Sequence, residues 1–372
     1  MRDLSNIYFS IITVCYNAEK TIRETIESVL MQKWENFEYI IVDGASTDST
    51  IDLVREYAAL DNRIKWHSEP DSGIFNAMNK GIYYANGNML YFLNAGDVLH
   101  SDEVFGKVAE VAAQSDIVIG DIAFKTEYGL SEYKYSVGSE LRENLEKGRM
   151  VSHQVIFAAS DCLKQGFDDR FQFCADYDWL CSQVNAGKKI TKVDTIVVDF
   201  DLHGVTHQAR YYKMYCEEYC AVIGKYFPQP GFKYGDEVKR LFIQGKKDRI
   251  LYKYMNRWLF LKQRGISLSS FFISQGILNI AIYGFHFMGQ RLYDELKATS
   301  VKVAYAIDGK PAKTDFEISI LSPDDVLEHV DAVVITPVFD FFEIKNNLSQ
   351  KLDCAMFFIE DILFFEYESV DA

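Results

Sequence analysis

A chain of 372 residues is long for a single hydrophobic core, so two or more domains are expected. With 48% hydrophobic and 25% charged residues and no repeat or low-complexity tract, the composition is globular and excludes fibrous and disordered classes. A formal net charge of −15 excludes nucleic acid as a general partner. Residues 1–6 are polar and the apolar run 7–15 is short, so no signal peptide is read, and no window approaches a transmembrane length. The cysteines Cys15, Cys162, Cys174, Cys181, Cys216, Cys220 and Cys354 are scattered without a CxxC pair, which suggests a reduced, cytoplasmic chain without structural zinc.

In chain order, IYFSIITVC (7–15) and FEYIIV (37–42) are β-branched and aromatic runs that predict strands. Between them Ile22, Ile26, Val29 and Leu30 recur at helical spacing. A helix from Ser49 to Leu60 follows the turn at Asp43, then a strand at 63–67, a helix at 74–86, a strand at 88–93 and a helix at 101–114. This alternation implies an α/β fold with a mainly parallel sheet between helices. Beyond it, a hairpin is expected near 123–137, a strand at 151–158, a helix at 173–186 and a strand at 196–200, closing a first domain near residue 210.

Residues 210–264 carry thirteen basic and five acidic side chains, a local balance of +8. Ile250, Tyr254, Trp258 and Leu261 share one helical face, and Arg249, Lys253 and Arg257 a neighbouring one. Two readings stand: a basic amphipathic helix on an anionic membrane surface, or a helical linker whose aromatic stripe packs on a core. From residue 275, NIAIYGFHFMGQRLYDEL (279–296), VKVAYAID (301–308) and DAVVITPV (331–338) read as a small βαβ domain. Gly284 to Gly289 has the outline of a dinucleotide fingerprint with Asp308 in the ribose position, but His286 stands where the middle glycine belongs. A degenerate Rossmann-like module is the expectation.

Two apolar strands end in carboxylates: YIIVDGASTDST (39–50) at Asp43 and YFLNAGD (91–97) at Asp97. A carboxylate at a strand tip offers a hard oxygen at the sheet edge where α/β proteins bind ligands. Six segments in order, IITVCYNAEKTI (11–22), IIVDGASTDST (40–50), SEPDSGIFNAMNKGI (68–82), YFLNAGD (91–97), SHQVIF (152–157) and FDDRFQFCADYDW (167–179), resemble the family 2 inverting glycosyltransferases of GT-A fold. The version with DSGIFNAMNKG and NAGD looks most like bacterial enzymes of capsule, O-antigen or exopolysaccharide synthesis.

That resemblance implies a GT-A domain over 1–210, ahead of the basic helical segment over 211–274 and the Rossmann-like domain over 275–372 read from their own patterns. It implies a nucleotide-sugar donor, with the UDP-linked form as the expectation. Donor contacts fall to Tyr16, Asn17, Asp43, Ser46, Asp71, Gly73, Asn79, Lys80, Asn94, Ala95, His153 and Gln154. Asp97 would bind a divalent cation, Mn²⁺ or Mg²⁺, with His203 or His207 completing the shell. Asp176 would be the base that deprotonates the acceptor hydroxyl, with Asp178 as the runner-up. The acceptor would be a saccharide, lipid-linked through a polyprenyl diphosphate, reached at the inner face of the cytoplasmic membrane. The chain departs from the family pattern at Gly44, Asn76 and Met78, and its acidic motif is thinned to Asp97. Two other classes remain: a nucleotide-sugar oxidoreductase or epimerase built on the C-terminal domain, and a catalytically silent sugar-nucleotide-binding regulator.

Overall fold

The computed structural model describes residues 7–126, 129–200, 209–228, 236–309, 316–365 and 367, with backbone alone at 126 and 236–246. The chain divides into two compact units, one of residues 1–204 and 217–234, the other of residues 205–216 and 235–372.

The first unit opens with β1 (Phe9–Cys15), α1 (Ile22–Leu30), β2 (Phe37–Asp43), α2 (Thr50–Leu60), β3 (Ile64–Ser68), α3 (Ile74–Tyr84) and β4 (Met89–Phe92). Every residue of β1, β2 and β4 is buried, as continuous apolar runs covered on both faces require. β5 (Val98–Leu99), α4 (Val104–Ala112), β6 (Ile117–Thr126), β7 (Gly129–Tyr133), α5 (Ser139–Glu146), β8 (Ile156–Ala159), α6 (Ala175–Asn185) and β9 (Ile190–Phe200) follow. The strand order is β3-β2-β1-β4-β8-β6-β9-β5, with β7 beside β6. Pairing is parallel from β3 through β4, and β8 then enters antiparallel between β4 and β6.

Two consequences place the site. Cys15 pairs with Asp43 and Ile12 with Phe92, so the ends of β1, β2 and β4 reach one edge, at the switch point where the order turns from β1 to β2 and β4. Because β8 runs the other way, its beginning lies at that same edge. The expected strand at 151–158 therefore starts later: residues His153–Val155 form a 3-10 turn instead. Tyr91 and Phe157 stack across the β4–β8 pair at 4.1 Å.

The chain continues through α7 (Tyr212–Tyr226), whose residues 217–226 belong to the first unit, and into α8 (Asp236–Gln263) and α9 (Ser269–Ser274). β10 (Asn279–Tyr283), α10 (Phe287–Leu296), β11 (Lys302–Ile307), β12 (Ile320–Leu321), β13 (Ala332–Ile335), α11 (Phe341–Leu348), β14 (Ala355–Phe358) and α12 (Ile359–Leu363) complete the second unit. Its strands are all parallel in the order β12-β11-β10-β13-β14.

The structure corrects the reading of 211–274 as a separate segment, since α8 and α9 belong to the second unit. Ile250, Tyr254, Trp258 and Leu261 are buried in one cluster with Ile280, Phe358 and Leu363. The neighbouring basic face is also engaged: Lys253 lies 3.6 Å from Glu360, and Arg257 donates to the Leu363 carbonyl at 3.0 Å. The aromatic stripe packs on the core of the second unit. No described helix is long and apolar enough to cross a membrane.

Candidate functional site

The sheet edge where β1 and β2 end is organised by Asp43. Its fully buried carboxylate accepts from the Ser46 amide at 3.0 Å, the Ser46 hydroxyl and the Ser68 hydroxyl at 2.6 Å. With those donors around it, Asp43 shapes the turn rather than presenting itself to a ligand. Ser46 Oγ accepts from the Asn17 amide at 2.8 Å, and Asn17 Oδ1 from the Thr47 amide at 2.9 Å, holding Asn17 at φ +48°. Tyr16 stands exposed beside them. A Cβ on Gly44 would lie 2.6 Å from Asp71 Oδ2 and 3.4 Å from the Tyr16 ring, so these three positions converge. The Asp71 carboxylate thus fills the space that a second acid at position 44 would need. Burial and the neighbouring Asp43 push the Cys15 thiol up, which leaves it an inert core group.

Asp71 also accepts from the Gly73 amide at 2.9 Å, where Gly73 (φ +134°) precedes α3. Two residues placed on α3 by the sequence have other partners. Asn79 exchanges both amide contacts with the Phe167 backbone, at 2.9 and 2.8 Å, and clamps that loop. Lys80 donates to the Pro70 carbonyl at 2.7 Å and lies 3.1 Å from Glu69.

At the tip of β4, Thr25 of α1 accepts from the Gly96 amide at 3.0 Å and donates to the Asp97 carbonyl at 2.9 Å, fixing the turn through Ala95 and Gly96 (φ +104°). Asn94 Nδ2 donates to His153 Nε2 at 3.0 Å, and His153 Nδ1 donates to Asp176 Oδ2 at 2.9 Å. Asp176 Oδ1 accepts from the Tyr177 amide at 2.8 Å. A continuous chain of hydrogen bonds therefore joins the β4 tip to the first turn of α6. Gln154, the next residue on the 3-10 turn, donates to Asp97 Oδ2 at 3.1 Å. Asn94 Oδ1 is buried and has no partner among the described residues. An unpaired buried oxygen costs about 1–3 kcal/mol, which marks it as awaiting a donor or a cation.

Asp178 is separated from this chain. It lies 2.7 Å from Lys225 Nζ and accepts from the Tyr226 hydroxyl at 3.3 Å. Burial works against the Lys225 ammonium, yet Asp178 and Tyr226 hold it above its usual range. Asp178 faces a cleft of about 760 Å³ whose lining includes Phe167, Arg170, Trp179 and Lys225 but neither His153 nor Asp176. Sequence reading missed Lys225, because nothing in the chain ties a lysine 47 residues downstream to this carboxylate. His203 and His207 lie outside the described residues.

In the second unit, Gly284 (φ +86°) makes the tight turn after β10, and a Cβ on Gly289 would meet the Gly284 carbonyl at 2.3 Å. Two of the three fingerprint roles are therefore kept. The third is not: His286 occupies the middle position, with Nε2 3.4 Å from Asp308 Oδ2. Asp308 accepts from the Phe285 amide at 2.9 Å, so it braces the turn. Burial, then Asp308, Asp340, Glu343 and Asp324, push the Tyr283 phenol up.

Residues 10–163 match the family described as Glycosyl transferase family 2. A PGL/p-HBAD biosynthesis glycosyltransferase of Mycobacterium bovis is 30% identical over 177 residues, covering 46% of this chain and 67% of that protein. The chain belongs to glycosyltransferase family 2. A putative glycosyltransferase EpsH of Bacillus subtilis is 33% identical over 118 residues, covering 32% of this chain and 34% of its own. Among solved structures, S. aureus TarS 1-349 in complex with UDP-GlcNAc aligns with a TM-score of 0.47 at 18% identity, covering 60% of this chain and 68% of that one. The mannosyltransferase PcManGT from Pyrobaculum calidifontis, in complex with GDP-Man and Mn²⁺, gives 0.47 at 16%, covering 60% and 66%.

The family 2 match, residues 10–163, falls within the first unit. For the divalent cation common in this fold, the available oxygens are the orphaned Asn94 Oδ1 and the Asp97 carboxylate. No group of three His, Cys, Asp or Glu side chains suited to a metal occurs among the described residues. Such a set fits a hard cation that brings most of its oxygen shell with a diphosphate, and does not fit a tightly held resident metal.

Proposed function

We propose that this glycosyltransferase is inverting and cation-dependent, and that it transfers a sugar from a UDP-linked donor to a saccharide hydroxyl on a polyprenyl-diphosphate carrier, in surface polysaccharide assembly. The observation that carries the reading is the hydrogen-bonded chain Asn94–His153–Asp176, which sets a carboxylate opposite the strand tip where the donor diphosphate belongs. In this reading Tyr16, Asn17 and Asp71 contact the nucleoside, on the turn that Asp43 and Ser46 organise. Asn94 and Asp97 would hold a divalent cation, which would supply neutralisation of the diphosphate charge.

Asp176 takes the proton of the acceptor hydroxyl as that oxygen attacks the anomeric carbon. The new C–O bond forms on the face opposite the breaking bond to the diphosphate, and the nucleoside diphosphate leaves. The His153 and Tyr177 N–H donors each occupy one carboxylate oxygen and fix its direction, leaving lone pairs for the incoming proton. A thermal-shift panel of nucleotide sugars with and without Mn²⁺ identifies the donor, because selective binding stabilises the folded chain. With that donor, Asp176→Asn should lower turnover by about 10²-fold or more while donor binding is retained. Full activity in Asp176→Asn would remove the base assignment, and a panel without any stabilising nucleotide sugar would remove the donor reading.

A further inference from the structure

Helix α6, which bears Asp176, follows directly on the turn 172–174, and Cys174 at its N-cap makes no side-chain capping bond. That turn is held by a carboxylate from another helix: Glu218 of α7 accepts from the backbone amides of Gln172 at 2.8 Å, Phe173 at 2.8 Å and Cys174 at 3.1 Å. Lys225, seven residues further along α7 and so on the same face, holds Asp178. Between them Tyr219 stacks on Tyr177 at 5.4 Å. One face of α7 thus grips α6 immediately before Asp176 and on both residues that follow it.

We propose that Glu218 is a positioning residue for the transfer: it fixes the 172–174 turn from which α6 departs, and through it the direction of the Asp176 carboxylate. This deepens the reading of Asp176 as the base and rests on it. Small displacements of a reacting group cost rate steeply, whereas the proposed nucleoside contacts Tyr16, Asn17 and Asp71 sit on the loops that follow β1 and β3.

The test uses Glu218→Ala and Glu218→Gln in the full chain. Hydrogen exchange read by mass spectrometry should show lost protection at the amides of 172–174 in Glu218→Ala, with partial recovery in Glu218→Gln, which keeps one acceptor oxygen. With the nucleotide sugar selected by the thermal-shift panel, kcat should fall about tenfold in Glu218→Ala with donor KM unchanged to about twofold, and Glu218→Gln should lie between. Unchanged exchange at 172–174, unchanged kcat, or a kcat loss matched by an equal rise in donor KM would each overturn the proposal. If Asp176→Asn keeps full activity, the base assignment falls on its own evidence, and exchange at 172–174 still decides whether Glu218 holds this turn.

Discussion

At the scale of single residues, the site depends on what each polar atom has already been given. Asp43 is surrounded by donors, whereas Asn94 Oδ1 has none among the described residues. Gly44 illustrates the tightness of the nucleotide edge. In Gly44→Ala the new methyl would lie 2.6 Å from Asp71 Oδ2, so the Asp71 carboxylate must swing away. Calorimetric titration with the selected donor should show affinity weakened by about tenfold, equivalent to roughly 1.4 kcal/mol, with the thermal midpoint little changed. The strand-tip carboxylates were legible in the sequence because apolar runs ending in Asp or Asn are local patterns. The bond from Asn94 to His153 spans 59 residues and that from His153 to Asp176 spans 23, and no local pattern carries such pairings.

At the scale of elements, register does most of the positioning. Glu38 pins the opposite end of the β1–β2–β3 layer: it accepts from Ser10 Oγ at 2.6 Å, Lys65 Nζ at 2.6 Å and the Asn86 amide at 2.5 Å. Burial pushes this carboxyl up, but Lys65, Ser10 and Asn86 outweigh it and hold it below its usual range. A folded-state value below the unfolded one stabilises the protein above about pH 4.5 and is lost as pH falls through the folded value. Glu38→Gln should therefore flatten the acid limb of the stability curve and cost about 1–3 kcal/mol at neutral pH, read by urea unfolding at several pH values. The helices and the parallel strands were legible from periodicity. The start of β8 was not, because His153 and Gln154 sit within an apolar run and their turn is set by partners on other elements. The α8 stripe was ambiguous for a plainer reason: an amphipathic face reads alike whether its partner is a bilayer or a core.

At the scale of the whole molecule, two sheets share one chain, and the family match falls on the first. We expect no dinucleotide binding at the second, where His286 stands in the middle glycine position beside Asp308. Calorimetry with NAD⁺ and NADH on the intact chain should record no binding heat, and submillimolar affinity for either would contradict this and revive oxidoreductase chemistry. The fingerprint outline was visible in the sequence. The bond from the Phe285 amide to Asp308, 23 residues away, was not.

The reversed direction of β8 has a consequence for how such a chain can diverge. In the proposed reading, the nucleoside and cation contacts are encoded before residue 98, at the edge that β1, β2 and β4 run toward. The proposed base follows the turn at 153–155, on a chain that returns by a strand running away from that edge. The two halves meet through the pairs Asn94–His153 and Asp97–Gln154. Drift or recombination beyond that seam can retarget the enzyme to a new acceptor while the inherited nucleotide half stays intact, provided the His-Gln pair is kept.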